Sequence, residues 1–139
     1  MGYDTYYSLE INQATAQQAK QILAYMEKQE EMEYAFNLED IASEISKKLD
    51  KVSLVGNKIS NYFVGGSECC PWYENDVDMI ELSRKFPSVL FVLHGEGEKH
   101  GDLWRTYYRD ERLQHAPAKI TYDEFNVAEL KPLEDAERQ

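Results

Sequence analysis

From Tyr3 to Ile11 the side chains alternate: Tyr3, Thr5, Tyr7, Leu9 and Ile11 fall on one face, and Asp4, Tyr6, Ser8 and Glu10 on the other. A period of two over this length predicts a strand with one buried face. The spacing then becomes helical. Thr15 can cap a helix whose apolar stripe is Ala19, Ile22, Leu23 and Met26, with Gln18, Lys20, Glu27 and Lys28 left in water. After an acidic run, Glu30, Glu31 and Glu33, Asn37 is the cap expected for a second helix with the stripe Leu38, Ile41, Ala42, Ile45 and Leu49. Glu39 and Asp40 in its first turn, and Lys47 and Lys48 in its last, have the polarity that the helix dipole favours.

Between Val52 and Val64 the residues become β-branched and aromatic around Gly56-Asn57, which predicts a bent strand or a loose hairpin closing at Gly65-Gly66. A third helix is expected from Asn75 or Asp76 through Met79, Ile80, Leu82 and Phe86. Pro87 ends it, because proline disfavours helical geometry in the residue before it. Pro71-Trp72-Tyr73 leads into this helix and is expected to pack over its start. The rest reads as an antiparallel meander: Val89 to Glu96, a turn at Gly97 to Gly101, Leu103 to Arg109, a tight turn at Asp110-Glu111, and Arg112 to Tyr122. The fold class that follows is α+β, an antiparallel sheet of four to five strands with two to three helices packed on one face. Residues 1–130 form the single domain, and the charged residues 131–139 a frayed tail.

Length and composition agree with this picture. A chain of 139 residues matches one domain that can hold a core without staples. At 42% hydrophobic and 12% aromatic it has the apolar area to offset the entropy of ordering, which a disordered polyampholyte lacks. Charge changes the expectation about partners. The 15 Lys and Arg against 26 Asp and Glu leave a net of -11, a field that repels nucleic acid and attracts a basic protein surface. The two cysteines, Cys69 and Cys70, are adjacent and form no disulfide framework, so a reducing, cytoplasmic setting is expected. No stretch approaches a membrane span or a signal peptide, so no membrane partner is expected.

The segment His94-Gly-Glu96-Gly-Glu98-Lys-His100-Gly-Asp102 carries metal-ligating types at every second position, which on a continuous strand would share a face. It is the basis of an alternative reading, a small metal-dependent enzyme using His94, Glu96, Glu98 and His100. Against it, Gly95, Gly97 and Gly101 suit a mobile hairpin tip better than a preorganised ligand set. The histidines accompany no nucleophile elbow, and nothing around Cys69 and Cys70 lowers a thiol pKa. Gly65-Gly66 lacks the Lys and Ser/Thr of a phosphate loop. No catalytic residue, resident metal or cofactor is therefore expected. Aromatics could stack bases, but Arg105, Arg109 and Arg112 stand among Asp102, Asp110 and Glu111 and form no basic rim. Tyrosines beside acids suit a protein interface better. The expected partner-binding residues are Glu30, Glu31, Glu33, Tyr34, Glu74, Asp76 and Asp78, with a homodimer through an exposed sheet edge as a further expectation.

The stretches Trp72-Tyr-Glu-Asn-Asp to Phe86-Pro87, Val89-Leu-Phe-Val-Leu-His-Gly-Glu-Gly-Glu98, Gly101-Asp-Leu-Trp-Arg-Thr-Tyr-Tyr108 and Ala118-Lys-Ile-Thr-Tyr122 carry a resemblance. Over its second half the chain resembles uncharacterised phage and mobile-element proteins with a ferredoxin-like domain. The resemblance implies a ferredoxin-like sheet and a phage setting, and brings no catalytic residues to carry over. The chain departs from the pattern in its Ala116-Pro117 interruption and in an extra amphipathic helix in the first half. With the charge, this gives the functional expectation: a non-enzymatic accessory factor in the host cytoplasm that binds a basic partner surface. Its most concrete form is an anti-CRISPR-like inhibitor of a host defence system.

Overall fold

The computed structural model describes residues 3–36, 54–55, 58–59, 62–64 and 70–136. The helix expected from Asn37 to Leu49, the Gly56-Asn57 and Gly65-Gly66 pairs, and Cys69 lie outside the described residues. The alternating segment forms β1 (Thr5–Asn12), with Thr5, Tyr7, Leu9 and Ile11 buried as the period of two requires. Helix α1 (Ala16–Glu27) starts in a capping box. The Thr15 hydroxyl accepts from the Gln18 amide, and the Gln18 side chain accepts from the Thr15 amide. Its buried residues are Ala19, Ile22, Leu23 and Met26, the stripe expected.

The acidic run after α1 is itself structured. It forms a short helix, α2 (Glu30–Ala35), which turns Met32 and Ala35 into the core. Two brief strands, β2 (Leu54–Val55) and β3 (Lys58–Ile59), pair as a hairpin, and β4 (Tyr62–Val64) joins β1. Helix α3 (Asn75–Lys85) is followed by the meander β5 (Leu90–Gly97), β6 (Leu103–Arg109) and β7 (Arg112–Pro117). The last strand was expected to reach Tyr122 and stops five residues earlier. Its partner β6 begins at Leu103, so once the Ala118 amide has bonded to the Leu103 carbonyl no ladder is left. A 3-10 turn (Val127–Glu129) and α4 (Leu133–Ala136) follow.

The main sheet has five strands in the order β4-β1-β5-β6-β7, every neighbouring pair antiparallel. Buried residues of α1, α2 and α3 join Tyr7, Leu9, Ile11, Phe91, Leu93 and Tyr108 in one cluster, so these helices cover one face of an α+β fold. No described helix is long and apolar enough to cross a membrane.

Candidate protein-binding groove

Trp72 organises the entry to α3. The chain there alternates, with Cys70 and Trp72 buried while Tyr73 stands 69% exposed. The Trp72 ring meets Tyr7 edge-on at 5.2 Å and Phe36, the residue closing α2, at 5.7 Å. Its indole N–H donates to Asp78 Oδ2 at 2.6 Å, and its carbonyl accepts from Asn75 Nδ2 at 2.8 Å. A pillar held this way fixes α2 against the start of α3.

Between those two elements lies a groove of about 760 Å³ lined by Glu30, Glu31, Tyr34, Pro71, Tyr73 and Glu74. Helical spacing explains its near wall. Positions 30, 31 and 34 share the side of α2 opposite the buried Met32 and Ala35. Tyr34 and Tyr73 are both mostly exposed, and the Tyr73 hydroxyl accepts from the Tyr3 amide at 3.0 Å. Among the described residues, no Lys, Arg or His side chain pairs with Glu30, Glu31 or Glu74. Two phenol faces beside three unpaired carboxylates suit a guanidinium or ammonium group, with the rings receiving its aliphatic stem.

Of the residues expected to bind a partner, the structure thus gathers Glu30, Glu31, Tyr34 and Glu74. The side chain of Glu33 lies outside the described residues. Asp76 and Asp78 turn to other work. Asp78 holds Trp72. Asp76 accepts the Tyr108 hydroxyl at 2.6 Å through Oδ1 and lies 3.2 Å from His115 Nε2 through Oδ2. His115 Nδ1 in turn meets Thr106 Oγ1 at 2.8 Å. This orders a hydroxyl, an imidazole and a carboxylate, yet Thr106 is fully buried and no substrate can reach its hydroxyl. The chain acts as a latch between α3 and the β6–β7 hairpin. Burial raises the pKa of Tyr108 first, and the bond to Asp76 raises it further. Pro71 and Tyr73 line the groove but were not among the expected binding residues. The alternation of Pro71 and Tyr73 with Cys70 and Trp72 was the available signal.

The His94, Glu96, Glu98 and His100 set does not assemble. His94 lies 3.2 Å from Glu10 Oε1, whose other oxygen accepts from Asn12 at 2.7 Å. Glu98 and His100 lie beyond the end of β5, in the turn before β6. Among the described residues no three His, Cys, Asp or Glu side chains are grouped to hold a metal. Nor are Gly95 and Gly97 a mobile tip, since both lie within β5. A Cβ on Gly95 would overlap the Trp104 ring, and one on Gly97 would overlap the hydrogen bond from the Tyr3 hydroxyl to the Asp102 carboxylate. These glycines permit close packing. In comparisons with known proteins, no family model, no curated protein and no solved structure matches the chain.

Proposed function

We propose that this chain is a non-enzymatic protein-binding module that takes a basic segment of a partner into the groove between α2 and the start of α3. The observation that carries the reading is the gathering of Glu30, Glu31 and Glu74, unpaired among the described residues, around the exposed rings of Tyr34 and Tyr73. Opposite charge steers the encounter, and desolvated tyrosines then anchor it. A phage or mobile-element setting, with the partner a nucleic-acid-binding protein of host defence in the manner of anti-CRISPR factors, gives the proposal its concrete form. Such a partner presents the lysines and arginines that the groove would hold. Kinship with ferredoxin-like domains belongs to the same proposal. It is supported by one split β–α–β unit: β4 and β5 run parallel, flank β1 and are joined through α3.

The test is salt-dependent capture of a purified nuclease or CRISPR effector by the wild type and by two charge variants of equal net change. Glu30→Gln/Glu31→Gln/Glu74→Gln should abolish capture, while Glu27→Gln/Glu98→Gln/Glu111→Gln should retain it. Equal loss in both would leave only unspecific acidity, and capture indifferent to salt would discard the electrostatic part.

A further inference from the structure

Every residue from Pro117 to Glu134 is exposed. Six of them are large and apolar, namely Ile120, Tyr122, Phe125, Val127, Leu130 and Leu133, with Tyr122 at 91% and Phe125 at 79% exposure. The core closes without them, since among the described residues the buried cluster runs from Tyr7 to Tyr108. So much apolar surface on one segment marks a contact site. Side chains of this size and exposure amount to on the order of 800 Å², one side of a standard protein interface.

A matching surface lies on the strand face turned away from the helices. Register places Tyr6, Glu96 and Leu103 in one row, and Ser8, His94, Arg105 and Ala116 in the next. The small Ser8 and Ala116 leave a groove of about 530 Å³ beside Tyr6, Leu103 and Arg105. Arg109 and Arg112 continue this face as a cross-strand pair, exposed like Arg105. None of the three arginines is in an ion pair among the described residues. In a chain of net charge -11, positive charge is thus gathered on the β6–β7 part of this face, with Glu96 and Glu10 on its β5 and β1 side. The exposed segment has the complementary pattern, Tyr122-Asp123-Glu124-Phe125 and Glu129-Leu130.

We propose that residues 118–136 form an exchange arm that docks on this open strand face of a second copy of the chain, whose own arm docks back to give a two-fold dimer. Within one copy the arm starts beside the turn between β5 and β6, where Ile120 approaches Gly101. That is the opposite end of the β6–β7 hairpin from Arg109 and Arg112. The arm therefore leaves its own Arg109 and Arg112 behind, with Arg105 beside its start, and meets all three arginines together only on another copy. Like net charges oppose association, and the six apolar side chains supply the attraction that overcomes it.

Sedimentation of the full chain across micromolar concentrations tests this. The wild type is expected to dimerise. Tyr122→Ser/Phe125→Ser should weaken the dimer at least ~100-fold while leaving the unfolding of the monomer unchanged, because neither residue touches the core. Arg105→Glu/Arg109→Glu/Arg112→Glu and Asp123→Lys/Glu124→Lys/Glu129→Lys should each be monomeric alone and form a heterodimer when mixed, since the exchange then pairs opposite charges at both contacts. A wild type that stays monomeric at every concentration overturns the proposal, as does a dimer that survives the arm substitutions or charge variants that fail to complement. The first of these outcomes would leave the arm to a different protein, or the arginine face to a single-stranded nucleic acid.

Discussion

The two sides of the chain around Trp72 draw on the same residue types and use them in opposite ways. On the outer side Glu30, Glu31 and Glu74 stand with Tyr34 and Tyr73 around a groove. On the inner side Asp76 and Asp78 are spent on Tyr108, His115 and Trp72. Glu74, Asp76 and Asp78 lie within five residues of sequence, and their carboxylates are chemically alike. What separates them is whether a donor from a distant element arrives within hydrogen-bond reach. A charge-assisted bond to an indole or phenol stabilises the fold, whereas an unpaired carboxylate at the surface stays available to a ligand. The inner acids should therefore control stability and the outer ones recognition.

The contrast fails first if the pillar between the two sides is dispensable. Trp72→Ala should cost about 3–5 kcal/mol in denaturant unfolding, since a fully buried indole and its edge-on contacts are lost together. Asp76→Ala comes next at about 1–3 kcal/mol, because it leaves the buried Tyr108 hydroxyl without its acceptor. A double-mutant cycle with Tyr108→Phe should show that the two costs are not additive.

Alkaline pH probes the same latch. An unfolded tyrosine gives up its proton near pH 10, while Tyr108 in the folded protein keeps it. The unfolded state then binds fewer protons, so stability is intact below about pH 10 and falls above it by about 1.4 kcal/mol per pH unit for each tyrosine so held. Burial shifts Tyr7 in the same direction. Tyr108→Phe should flatten the slope by one proton in pH-dependent denaturation, and an unchanged slope would exclude Tyr108 as its source.

At the small end, Glu30→Gln/Glu31→Gln/Glu74→Gln should move unfolding by no more than about 0.5 kcal/mol, with relief of mutual repulsion favouring the variant. A clear loss of stability would mean that the outer acids hold the fold as well, and the comparison would lose its sense.

Elements with a strong local period were legible from residue order. The inward face of β1, the stripe and Thr15 cap of α1, and the Asp110-Glu111 turn each depend on neighbours within a few positions. At that turn both residues adopt positive φ, 50° and 63°, and the Glu111 amide donates to Ser83 Oγ at 3.0 Å. Helix α2 was less legible, because its run of glutamates masked the inward Met32 and Ala35. The extent of β7 could not be read from its own residues, because the start of β6 limits it. At the candidate site the residue types were visible, but the direction of each carboxylate was not.

By itself the sequence determined the α+β class, the buried faces of β1 and α1, and the net acidity, since periodicity and charge are properties of residue order. Only the tertiary structure decided that β1 lies between β4 and β5, that Gly95 and Gly97 admit neighbouring side chains, and that Glu74 faces a groove while Asp76 holds a latch. Tyr108 is 32 residues from Asp76 along the chain, and Tyr7 is 65 from Trp72. Contacts over such separations are selected by how helices and strands pack, which no local pattern encodes.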